Sequence, residues 1–205
     1  MKILKSIDIN QQDCLQITTE VDEDDVINLY NTYLPFYLKY NQKSLCLRRV
    51  NVGYDLYYIA EHIQQCIDHQ KMLPLGFSKS IDLGILCNEH TQKIILAEEA
   101  GKPLETWSWL GSSLHFLENK GASFQSCETW LYNDADGQIV MQVNTVYPWF
   151  YKEAPSKDLE ISYDDWLPSY KILYKTIISK NVAQMWIKEL NDLYATLELN
   201  TLSTK

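Results

Sequence analysis

The stretch whose reading decides the fold is ETWLYNDADGQIVMQVNTVY, residues 128–147. Two runs rich in β-branched and aromatic residues, 128–132 and 138–147, flank Asp134-Ala135-Asp136-Gly137. Gly137 can take the positive φ that a tight turn demands, so the pattern predicts a β-hairpin and hence an antiparallel sheet in the middle of the chain.

Working outward, Ile3, Ile7 and Ile9 predict a strand over residues 2–9, with residues 14–18 as its hairpin partner. Residues 80–96 read as a further hairpin, because Ile81, Leu83, Ile85 and Cys87 alternate, 88–92 turn and 94–96 resume. Helical spacing marks two earlier segments. The acidic run 20–25 leads into Val26, Leu29, Tyr30 and Tyr33, a helix ended or kinked by Pro35. Leu56, Ile59, Ala60, Ile63 and Ile67 give residues 54–71 one apolar stripe facing the core. Beyond the central hairpin, Ser162 and Asp165 predict a capped helix running to about residue 178 with a bend at Pro168. Asn181 then caps a last helix with the face Val182, Trp186, Leu190, Leu193 and Leu197. Together these predict a single α+β domain over residues 1–205. Its central antiparallel sheet of hairpins would carry N-terminal helices and a C-terminal helical hairpin packed on it.

Hydrophobic residues make up 46% of the chain, enough to sustain a core, and the net charge is -9. That sign argues against nucleic acid, whose phosphates require clustered Lys and Arg. The amino terminus lacks the apolar stretch of a secretory signal and no run is long enough to span a bilayer, so a cytoplasmic protein without membrane contact is expected. Cys14, Cys46, Cys66, Cys87 and Cys127 are odd in number and irregularly spaced, which predicts reduced thiols.

No G-x-S-x-G elbow, H-E-x-x-H helix or phosphate-cradling glycine loop occurs, so neither an enzyme nor a cofactor is expected. Asp134, Asp136 and Gly137 fail as a calcium loop, since Tyr132 and Val143 would occupy its first and twelfth positions. The spacing of His62, Cys66 and His69 puts them on one partly exposed helix flank, where zinc would accept them, with Cys87 or His90 as a further ligand. A metal protein or enzyme built on them is one alternative; ordinary helix-flank packing is the plainer reading. Fourteen tyrosines and six tryptophans point instead to a protein interface, where such rings dominate binding energy. Tyr147, Trp149, Phe150 and Tyr151 cluster at a sheet end beside the charged loop 153–160. The expected partner surface is therefore Asp134, Asp136, Tyr147, Trp149, Tyr151, Glu153 and Asp158, facing a basic protein that the carboxylates would steer. A self-associating scaffold is the remaining alternative.

Leu73-Pro74-Leu75-Gly76, the expected strands 81–87 and 93–96, and Ser112-Ser113-Leu114-His115-Phe116-Leu117-Glu118 follow one another in an order that resembles the SUKH superfamily of bacterial immunity proteins. The resemblance covers residues 73–118. It implies a hairpin followed by a serine-capped helix in an α+β fold that binds and neutralises a toxin, often a nuclease, without a cofactor; a free inhibitor is expected to be a monomer.

Overall fold

The computed structural model describes residues 2–19, 29, 32–73, 82–102, 113–117, 127–150, 156 and 160–202, with side chains as far as residue 198. The order β1 (Lys2–Asp8), β2 (Cys14–Thr19), β3 (Tyr33–Tyr40), β4 (Lys43–Asn51) forms an antiparallel meander followed by α1 (Val52–Ile67). After α2 (Leu83–Glu99) a second meander forms from β5 (His115–Leu117), β6 (Cys127–Asn133), β7 (Ile139–Thr145) and β8 (Ile172–Ile178). The short α3 (Tyr163–Trp166) precedes β8, and α4 (Lys180–Leu202) follows it. The expected α+β class is therefore present, with the single sheet replaced by two four-stranded ones.

One core joins both sheets. Ile17, Phe36, Leu38 and Leu47 of the first sheet share it with Leu131, Met141 and Val143 of the second and with the stripes of α1 and α4. The α1 stripe buries Leu56, Ile59, Ala60, Ile63 and Ile67 as its periodicity predicts, and Trp186, Leu190, Leu193 and Leu197 are buried on α4. Trp186 also donates its indole N–H to the Asp8 carbonyl at 2.8 Å, pinning α4 to the end of β1. The hairpins β1–β2 and β6–β7 stand where the sequence places them, and Gly137 takes φ +78° in the latter turn.

Four expectations are corrected. Residues 83–99 are helix, not hairpin, because the Asp82 carboxylate caps the chain by accepting from the Gly84 and Ile85 amides at 3.0 and 3.3 Å. Tyr33 and Pro35 lie on β3 and not on a helix. Pro35 is tolerated because β2 pairs with β3 only as far as Phe36, so no bond to β2 is lost. The helix capped by Ser162 stops after Trp166, where a 3-10 turn, Leu167–Ser169, carries Pro168. Residues 172–178, with three isoleucines, Tyr174 and Thr176, then pair with β7, so the C-terminal helical hairpin is a strand followed by a helix. Finally, the pieces behind the family resemblance change type: 83–87 and 93–96 contribute to α2, and the segment expected as a serine-capped helix supplies β5.

Candidate functional site

The buried stripe of α1 leaves an opposite face made of Tyr54, Tyr57, Tyr58 and Glu61. The three tyrosines are 61%, 60% and 48% exposed although none needs to be outside for the helix to form. Their rings support one another: Tyr54 and Tyr58 lie with centroids 4.5 Å apart, and Tyr57 meets Tyr58 edge-on at 5.6 Å. A hydrogen bond to Tyr54 pushes the Tyr58 hydroxyl above its ordinary pKa, so the neutral phenol is retained. Tyr33, also exposed, pairs with Asn51 at the start of the helix and adds a fourth ring-bearing position to that end. Beside Tyr58 opens a hollow of about 240 Å³ lined by Arg48, Asp55, Glu61, His62 and Gln65 among others. Arg48 is matched by Asp55 at 3.4 Å, and Asp55 also accepts the Asn51 amide at 2.7 Å. Burial holds His62 neutral by lowering its pKa to about 4, against a raising contribution from its bond to Leu131 and further lowering from Lys71 and His115. Because a carbonyl only accepts, the Nε2 of His62, 2.9 Å from the Leu131 oxygen, carries the proton.

A second constellation lies under α2. Glu128 and Trp130 occupy the same face of β6, and His115, paired with Trp130 across from β5, stacks on the indole at 3.7 Å. Cys87 descends from α2 onto this face, so that its sulfur, a His115 ring nitrogen and a Glu128 oxygen lie within 4.8 Å of one another. The Cys87 residue is 4% exposed, and the His115 and Glu128 side chains are 12% and 19% exposed. His115 Nε2 stands 3.6 Å from Glu128 Oε1, beyond hydrogen-bond range; both ring nitrogens and Glu128 Oε2 are buried without a hydrogen-bond partner.

Next to it a polar network fastens α2 to the sheet. Asp82 accepts from the Tyr170 hydroxyl and from Gln142 at 3.2 Å, and Trp130 donates to Asn144 at 2.8 Å. Asn88 donates to the Gly84 carbonyl at 2.8 Å and accepts the Tyr147 amide at 2.9 Å. Burial, followed by the bond to Asp82, raises the pKa of Tyr170 and keeps it a donor. These groups satisfy each other, which marks them as structural. Between the two sheets a larger cleft of about 560 Å³ is lined by Tyr40, Lys43, Leu45, Cys127, Trp166 and Leu173 among others, and among the described residues no carboxylate or histidine lines it.

Comparison with family models, with curated proteins and with solved structures finds no match.

The residues singled out by sequence fall differently. Asp134 and Asp136 sit in the β6–β7 turn, where Asp134 accepts the Asp136 and Gln138 amides. Tyr147 is at the other end of β7, packed edge-on against Phe150, Tyr163 and Trp166 at 5.0, 5.6 and 5.7 Å, and its hydroxyl donates to the Ile161 carbonyl. Trp149 is half-buried beside it. The structure thus does not bring the turn aspartates and the aromatic group together; Tyr151, Glu153 and Asp158 lie outside the described residues. His62, Cys66 and His69 do not form a ligand set. His62 is engaged by Leu131, Cys66 is buried in the core and not on a partly exposed flank, and His69 is exposed in a left-handed turn at φ +57°. Burial raises the Cys66 thiol to about 12, which keeps it protonated and inert. None of the five cysteines is in a disulfide, and among the described residues no helix is long and apolar enough to cross a membrane.

Proposed function

We propose that this chain is a non-enzymatic inhibitor of the immunity type, a monomer in the cytoplasm that docks on a basic toxin through the solvent face of α1. The observation that carries this reading is the exposure of Tyr54, Tyr57 and Tyr58 on one helix face. Tyrosine supplies large contact area at low entropic cost, and rings already held by their neighbours lose little freedom on binding. The net charge of -9 steers a cationic partner, and the hollow beside Tyr58, with Glu61 at its edge, suits one Lys or Arg side chain resting against the ring.

Co-expression with any toxin encoded beside its gene tests the proposal. The chain is expected to rescue growth and to co-purify with the toxin as a one-to-one complex. Each of Tyr54→Ala, Tyr57→Ala and Tyr58→Ala should weaken that complex by ~2 kcal/mol, about 30-fold, while leaving the melting temperature of the free chain nearly unchanged. Failure to rescue, or an unaltered affinity in all three variants, refutes it; dimers by light scattering would favour a self-associating scaffold instead.

A further inference from the structure

We propose that Cys87, His115 and Glu128 form a zinc site between α2 and the second sheet, with His115 also lining the hollow beside Tyr58. Three elements that are remote in sequence deliver one sulfur, one nitrogen and one oxygen donor to the same place. Zinc accepts this mixture, and in tetrahedral coordination its donors stand about 3.3–3.6 Å apart, so side-chain rotation alone can close the observed spacing. The thiolate and carboxylate together cancel the charge of a divalent ion in a site where isolated charge is costly, and the thiol proton leaves on binding.

The polar accounting points the same way. In the neighbouring network Asp82, Asn88, Gln142 and Asn144 make hydrogen bonds, whereas both His115 nitrogens and Glu128 Oε2 are buried and unanswered by hydrogen bonds. A bound ion supplies the missing partner for one nitrogen and for the carboxylate. Stacking on Trp130 fixes the plane of the imidazole before the ion arrives. Three protein donors leave a fourth position for water. The burial of Cys87 under the helix fits a held ion better than a nucleophile meeting an incoming substrate.

Full-length chain stripped with a chelator and titrated with zinc against a chromophoric competitor should bind one equivalent. Cobalt(II) in its place should give the thiolate-to-cobalt charge-transfer absorption, which Cys87→Ser abolishes and Cys14→Ser retains. Cys87→Ser and Glu128→Gln should each weaken zinc by ~100-fold or more, since losing even an outer-sphere partner costs about 10–100-fold. Circular dichroism of the stripped variants establishes that they are folded. Because burial also holds these residues, His115→Asn serves as a second variant with the same expected loss. Substoichiometric zinc, cobalt binding without a thiolate band, or affinity unchanged in folded variants overturns the site.

Discussion

Replacing His62 with glutamine should flatten the acid limb of the stability curve. In the folded chain burial lowers the imidazole pKa from 6.5 to about 4. Above pH 6.5 the ring is neutral folded or unfolded, and stability is at its full value. Between 6.5 and about 4 the unfolded chain takes up a proton that the folded chain refuses, so acidification favours unfolding; below about 4 both are protonated and the loss stops growing. At about 1.4 kcal/mol per pH unit, the interval corresponds to ~3 kcal/mol lost by the wild type that the variant does not lose. Glutamine keeps an N–H within reach of the Leu131 carbonyl, so at pH 7 the variant should differ by only ~1 kcal/mol. Urea unfolding at half-unit steps from pH 7 to pH 4, on chelator-treated protein so that acid release of an ion does not contribute, gives the difference curve directly. Carboxylate titrations are common to both proteins and cancel. Parallel curves for wild type and His62→Gln through this range would show that the imidazole is not buried as described.

Gly84→Ala should destabilise despite alanine's preference for helix: the added methyl would lie 2.6 Å from Asn144 Nδ2 and closer still to the Tyr170 hydroxyl. A net ~2–3 kcal/mol loss, or ~5–10 °C in Tm, is expected after the propensity gain is subtracted, and a Tm at or above wild type contradicts the close approach of α2. Gln42→Gly should do the opposite, because Asn41 and Gln42 both take left-handed φ, 45° and 61°, in the two-residue turn joining β3 to β4. A gain of ~0.5–1 kcal/mol in chemical unfolding is expected, and a loss would mean the turn does not have this geometry.

Where local chemistry and periodicity agreed, the fold was legible. The turn at Asp134 to Gly137 fixed one hairpin, and the stripes on α1 and α4 could be counted off. The misread segments share a spacing of four residues, as in Leu83 and Cys87 on α2 or Tyr174 and Ile178 on β8, each pair buried. Four is close to one helical turn and is also twice the strand repeat, so such pairs satisfy both patterns. What decides is the residue at the boundary. Asp82 satisfies the first free amides of α2, and Pro168 in its 3-10 turn prevents α3 from continuing into residues that then pair with β7.

The two candidate sites differ in legibility for the same reason. The tyrosine face is the complement of a stripe that sequence locates, so Tyr54, Tyr57 and Tyr58 follow by subtraction once Leu56, Ile59 and Ile63 are assigned to the core. Tyr147 is more conspicuous in sequence because its neighbours there are also aromatic, but aromatic neighbours at a strand end pack on each other as readily as on a partner. The group under α2 had no such route. His115 reaches Glu128 only because β5 pairs with β6, and Cys87 reaches both only because 83–99 is a helix lying across that sheet. Read as a strand, the same segment directs Cys87 along a sheet edge and away from Glu128. The helix and the Cys87, His115, Glu128 group therefore stand or fall together, and the capping carboxylate of Asp82 is the sequence signal from which both follow.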